Sequence, residues 1–242
     1  MLDVGRSAAR FALLLVSPEA EDAREQTVLA SLFAAGLTSY HLRKPMWSRE
    51  QLAAYLRAVP VEFHPRIVLH SHHDLAEEFH IGGVHNADKG RAGPLGPPRT
   101  PLSFAYPTGA PSGRALPSIL HSRAVHDLIE LRIALDSYDR LLVSPIFPSF
   151  SKPGYGPSAQ FPEADLRAAL ALPRRAEVIA LGGIDASRIA GCRELGFDGV
   201  AVLGAVWLAS DPVRAYSALR SLCGSELARD SVDHREQARS HV

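Results

Sequence analysis

Eight short apolar runs recur along this chain, and nearly all are followed by an amphipathic stretch of helical length. That alternation constrains the fold more than any other feature. The runs are FALLLV (11–16), TSYHLR (38–43), RIVLH (66–70), GGVH (82–85), SILH (118–121), RLLVSPIF (140–147), EVIALGGI (177–184) and DGVAVLGAV (198–206). Each has strand length, and the first is ended by Ser17-Pro18. Residues 20–35, 72–80, 122–136, 163–172, 186–195 and 211–222 read as helices, as does a stretch from Ser48 that carries Leu52, Tyr55, Leu56 and Val59. Strands separated by helices pair in parallel through right-handed crossovers. Eight of them close a sheet without an edge. The predicted class is therefore α/β, a (β/α)8 TIM barrel. An open doubly wound sheet is the runner-up.

One helix is missing from the rhythm. Residues 86–117 include GPLGPP and YPTGAPSG, a density of Pro and Gly that no regular helix tolerates. The helix after strand four is predicted to be replaced by this loop. An interdomain linker is the competing reading, and the return of the strand–helix rhythm favours an insertion into one domain, 1–225. Residues 226–242 are polar without apolar period and read as a flexible tail.

Composition narrows the partners. Lys plus Arg and Asp plus Glu number 26 each, so no bulk charge draws the chain to nucleic acid or to an anionic membrane. FALLLV is far shorter than the roughly 20 apolar residues a bilayer span needs, and no secretory signal pattern precedes it. Cys192 and Cys223 form no CxxC pair, which fits a reducing compartment. A cytoplasmic enzyme is expected. Homo-oligomerisation is left open.

In such a barrel the chemistry lies on loops that follow the strands. Gly182 and Gly183 follow strand seven, and Gly204 follows strand eight. Backbone without a side chain can approach an anion closely, and phosphate sites recur there. The alternative is that these glycines serve only tight turns. After strand six, residues 144–156 carry Ser149, Ser151 and Lys152, hydroxyls and an ammonium suited to an anionic ligand. An ordinary surface loop is the competing reading. His70, His72, His73, His80 and His85 cluster in sequence. Among them His70, His72 and His85 could form an open zinc site, or simply line a pocket.

Taken together, HLRK (41–44), HDLA (73–76), GGVH (82–85), HS (121–122), SPIFPSFSKPG (144–154), ALGGI (180–184) and GFDGVAVLGA (196–205) resemble the thiamine phosphate synthase family, which includes the TenI-type thiazole tautomerases. The likeness runs over about residues 11–222. It implies a (β/α)8 barrel acting on a small phosphorylated thiazole. Synthases of this kind join a thiazole phosphate to a pyrimidine diphosphate with Mg²⁺ and release pyrophosphate. By resemblance, backbone at Gly182, Gly183, Leu203 and Gly204 would hold the thiazole phosphate. Ser149 and Ser151 fall where the family places thiazole-contacting threonines, and Lys152 falls on its lysine. Arg43 falls on the arginine of the strand-two motif, with Lys44 beside it, and both are expected at the substrate.

The departures are specific. The family pattern Gln-Leu-Arg-Glu-Lys becomes His41-Leu42-Arg43-Lys44-Pro45. Where synthases carry Asn-Asp-Arg, this chain has His70-Ser71-His72, without the Mg²⁺-ligating carboxylate. Aligning the strand-five motif Ser-x-His-Ser on His121-Ser122 puts Ile119 at its first Ser. TenI-type tautomerases use a His in that motif to shuttle a proton, which requires no Mg²⁺. The resemblance with these departures points to tautomerase-type chemistry with His121 as general acid/base, and His41, His70, His72 and His85 as candidate pocket residues. Thiamine phosphate synthase proper, with Mg²⁺, comes second. A non-catalytic phosphate-binding barrel comes next, and a zinc hydrolase is remote.

Overall fold

A computed structural model of the chain describes residues 11–86, 119–148 and 161–224. Eight parallel strands close into a barrel in sequential order: β1 (Ala12–Val16), β2 (Tyr40–Leu42), β3 (Ile67–Leu69), β4 (Gly83–Asn86), β5 (Leu120–Val125), β6 (Arg140–Val143), β7 (Glu177–Leu181) and β8 (Gly199–Val202). The seam pairs Ala12 with Gly199 and Leu15 with Val202, so β8 hydrogen-bonds back to β1 and no edge remains. The helices are α1 (Glu25–Ala34), α2 (Arg49–Ala58), α3 (Leu75–Glu78), α4 (Leu128–Ala134), α5 (Glu163–Leu170), α6 (Ile189–Leu195) and α7 (Gly204–Trp207). A closing helix, α8, spans 212–224. The predicted barrel is the observed one. The predicted loop at 86–117, apart from Asn86, and the tail at 226–242 lie outside the described residues.

Local sequence sets the helix ends. Ser48 caps α2 through a reciprocal box: its Oγ accepts from the Gln51 amide at 3.3 Å, and its own amide donates to the Gln51 side chain at 2.8 Å. α6 stops at Gly196, whose φ of +101° is the left-handed conformation such a stop uses.

One boundary departs from expectation. Residues 122–136 read as a single helix, but Ser122–Val125 continue β5 and pair with Arg140–Val143 of β6. The helix begins only at Leu128, after Asp127, whose carboxylate accepts from the Glu130 amide at 2.7 Å. Parallel pairing on both sides of β5 overrides the helical spacing of its last residues.

The core has two layers. The larger lies between barrel and helices and holds Leu29, Leu32, Leu52, Leu56, Leu131, Leu166 and Tyr216 with the outward strand residues. Inside the barrel, Leu14, Val16, Leu142, Ile179 and Ala201 form a separate apolar cluster. These residues come from β1, β6, β7 and β8. The opposite half of the interior holds His41 of β2 and His85 of β4, both buried, with Ser122 of β5. The barrel is thus hydrocarbon on one side, while imidazoles share the other with Val68 and Ser122.

Candidate active site at the C-terminal mouth

A cavity of about 970 Å³ opens at the C-terminal ends of the strands. Its floor is apolar, with Val16, Leu142, Leu181 and Ala201. The loop from β1 to α1 covers one side, and Gly182, Gly183, Leu203 and Gly204 form the wall at β7 and β8. The sequence-predicted glycines therefore do converge on one opening. Gly182 and Gly183 have φ of +98° and +62°, which side-chain-bearing residues seldom adopt. A Cβ at Gly183 would stand 2.2 Å from the Pro148 carbonyl oxygen, so that position excludes any side chain. Gly204 opens α7, and a Cβ there would meet only the Leu208 side chain at 3.4 Å. Trp207 anchors α7 by donating from Nε1 to the Val16 carbonyl at 2.8 Å.

Arg43 lines the same cavity and pairs with Glu19. Its backbone is tied to β1, because the Arg43 amide donates to Ser17 Oγ at 2.8 Å and that hydroxyl donates back to the Arg43 carbonyl at 3.1 Å. Asp22, also on this loop, is bidentate with Arg24, and that guanidinium holds its carboxyl down to about 2.

Lys44 is not a substrate residue by position. It is 1% exposed, and its ammonium donates to Glu25 at 2.5 Å, to the Pro18 carbonyl at 2.7 Å and to the Ala20 carbonyl at 3.2 Å. Glu25 also accepts from the Tyr40 and Tyr55 hydroxyls at 2.6 and 2.9 Å. All three ammonium protons are engaged inside the protein, so Lys44 holds the β1–α1 loop in place from beneath.

His121 also requires correction. Ala124 and His126 line the cavity, and Ser122 bonds to His85 inside the barrel. Alternation along a strand therefore puts His121, Arg123 and Val125 on the outer face. Val125 indeed belongs to the helix-facing core. The His121 amide donates to the Asp139 carboxylate at 2.8 Å, and its carbonyl accepts from the Asp139 amide at 2.9 Å, near the start of β6. The imidazole at the mouth is His126. Its Nδ1 lies 3.0 Å from the Ser144 carbonyl, which can only accept, so Nδ1 carries the proton and Nε2 is left as the basic atom. The family's strand-five motif then falls on Ala124-Val125-His126-Asp127, with Ala124 at its first Ser. A signal for this register existed in the sequence: Asp127-x-x-Glu130 before an apolar run is a helix-start pattern. It is realised as the Asp127 cap, with the Glu130 side chain accepting from the His126 amide at 2.9 Å.

The remaining histidines divide. His70 and His85 line the cavity, with stacked rings 4.1 Å apart between centroids. His41 lies directly below them, fully buried, its Nδ1 3.0 Å from His70 Nε2. Desolvation lowers the pKa of all three; the nearby His85 adds to the lowering at His41 and His70, and His85 itself is brought down to about 3. His72 is elsewhere: it turns through φ +50° and bonds to the Trp47 carbonyl at 3.0 Å. Ser149, Ser151 and Lys152 lie outside the described residues.

Mg²⁺ is not matched by the donors at the β3 and β4 rims. A hard dication wants carboxylate and carbonyl oxygen. The rims of β3 and β4 offer imidazoles instead, while Asp74 is paired with Arg49 at 2.6 Å on the exterior.

Fold and site together define a (β/α)8 barrel with its candidate site in the C-terminal mouth, between a glycine wall at β7–β8 and imidazoles at β3–β5. No protein-family model matches the chain. It is 31% identical over 148 residues to a thiamine-phosphate synthase from Bacteroides fragilis, a match that covers 61% of this chain and 66% of that one. It is 29% identical over 202 residues to a thiamine-phosphate synthase from Methanoculleus marisnigri, covering 81% and 87%. The fold is similar to the crystal structure of a thiamine phosphate pyrophosphorylase from Bacteroides thetaiotaomicron, with a TM-score of 0.63 at 25% identity over 87% of this chain and 96% of that one. The chain belongs to the thiamine phosphate synthase/TenI family of enzymes. Among the described residues, no helix is long and apolar enough to cross a membrane.

Proposed function

We propose that this chain is a thiamine-biosynthesis enzyme that binds a thiazole phosphate and moves a proton on its ring, the tautomerase-type reaction, with His126 as general acid/base. The observation that carries this reading is the orientation of His126. Its Nδ1–H is committed to Ser144, and its Nε2 remains for a ligand in the cavity it lines. An imidazole fixed in one tautomer can take a proton from one ring position and return it at another with no net change in composition. The amides of the Gly182–Gly183 turn and the first turn of α7 would receive the phosphate. Arg43 lies across the mouth and would add positive charge. Two buried cysteines, neither in a disulfide, support a reducing, cytoplasmic setting.

The second reading is thiamine phosphate synthase proper, favoured by the names of both relatives. It needs a site for a diphosphate and Mg²⁺. Against it stand Ser71 and Ala124 at the family's Asp and Ser positions, and the internal engagement of Lys44.

The test is to assay the purified chain for ring tautomerisation and, separately, for thiamine phosphate formation from thiazole phosphate, pyrimidine diphosphate and Mg²⁺. The tautomerase reading expects turnover in the first assay, reduced about 10²–10⁴-fold in His126→Ala. Chelator-sensitive thiamine phosphate formation at high rate, or full tautomerase activity in His126→Ala, would overturn it.

A further inference from the structure

The imidazole half of the barrel interior is a cluster without a role in the reading above. His41, His70 and His85 come from β2, β3 and β4, and each offers a ring nitrogen within 4.8 Å of the other two. We propose that these three residues form a binding site for one late transition-metal dication of the Zn²⁺ class, beneath the mouth cavity.

The chemistry of the donors selects the ion. Three neutral imidazoles suit Zn²⁺, Co²⁺, Ni²⁺ or Cu²⁺, whereas Mg²⁺ and Ca²⁺ want oxygen. The spacing fits as well. Ligand nitrogens about 2.0–2.1 Å from a tetrahedral metal stand about 3.3 Å apart. His41 Nδ1 and His70 Nε2 are already 3.0 Å apart. His85 is oriented from behind, because its Nδ1 lies 2.5 Å from Ser122 Oγ, which leaves Nε2 as its ligating atom. A hydrogen bond to the far nitrogen of a ligating His is the usual device for fixing tautomer and ring plane.

A second observation points the same way. His41 Nε2 is buried without a hydrogen-bond partner, so the cluster does not satisfy itself as a polar core. His41 Nδ1 and His70 Nε2 point at each other, and a cation accepting a lone pair from each would take the place of that single contact, with the proton of His41 then on Nε2. His70 and His85 face the cavity, and His41 does not. The fourth coordination position would therefore open toward the mouth, the pattern of an open site with three protein ligands. This site does not depend on the phosphate reading.

The experiment uses untagged full-length chain freed of metal by chelation and then titrated with Co²⁺ or Zn²⁺ alone. The expected result is one ion per chain, with the intense visible spectrum of four-coordinate Co²⁺, bleached by Zn²⁺. His41→Gln and His85→Gln are expected to weaken binding at least 100-fold. His72→Gln and His80→Gln, outside the cluster, should leave it unchanged. His70→Ala, at the cavity wall, provides a further ligand deletion should a buried variant fail to fold, as judged by circular dichroism. Absence of stoichiometric binding to the wild type, a weak octahedral Co²⁺ spectrum, or undiminished binding in a folded ligand variant would overturn the proposal.

Discussion

Single residues at the mouth differ sharply in what they tolerate. Gly183 combines φ of +62° with a blocked Cβ position, whereas Gly204 has neither constraint. Gly183→Ala is expected to lose about 1–3 kcal/mol of stability from backbone strain alone, while Gly204→Ala should stay within about 0.5 kcal/mol of wild type, measured by urea denaturation. Equal effects would mean that the two glycines are held alike. Both positions were legible in the sequence as glycines after a strand, but only at Gly183 does the backbone conformation require one. The imidazoles were less legible. His72 is two residues from His70, yet it turns away to Trp47, and the true neighbour of His70 is His41, 29 residues earlier. Strand register creates that proximity, and no local pattern encodes it.

At the scale of elements, the β1–α1 loop depends on a buried ion pair. Lys44 at the end of β2 and Glu25 at the start of α1 are 1% and 3% exposed. Removing one charge from such a pair strands the other, so Lys44→Met is expected to cost about 3–5 kcal/mol in chemical denaturation. Adding Glu25→Gln should restore most of that loss, because glutamine keeps an acceptor for Tyr40 and Tyr55. A double variant as unstable as the single one would show that the pair is not what matters. The sequence placed Lys44 beside Arg43 in a substrate motif and hid its partner in a loop-to-helix junction 19 residues away. The β5–α4 boundary shows the converse failure. Ser122-Arg123-Ala124-Val125 contains no turn residue, so apolar spacing carried the helix backward over a strand. Only pairing with β4 and β6 shows where the strand ends, and the five-residue shift moves the family motif from His121 to His126.

For the whole molecule, closure of the sheet ties outer-layer access to opening of the fold. The chain has two cysteines, Cys192 on α6 and Cys223 on α8, both buried and neither in a disulfide. Desolvation pushes the Cys192 thiol up to about 12, so it stays protonated near neutral pH and is a poor nucleophile. In the native state, a thiol-specific disulfide reagent at pH 8 is expected to modify neither cysteine on the timescale of minutes. Both should react at once in denaturant, and slow native labelling should follow the opening rate of the α6–α8 layer. Immediate labelling of the native chain would contradict the packing described. The architecture itself was the most legible feature, since eight strand-length runs leave few alternatives.

The unequal lining of the barrel has a directional consequence. Strands seven and eight stand diametrically across the mouth from strands three and four. One rim presents main-chain donors above hydrocarbon, and the other presents uncharged nitrogen heterocycles. While those rings hold no metal, a guest with a doubly negative end and a flat aromatic end meets complementary surroundings in one sense only, and reversing it would press the negative end against ring lone pairs. Such an interior would set the heading of its guest on entry, before any side chain has to move.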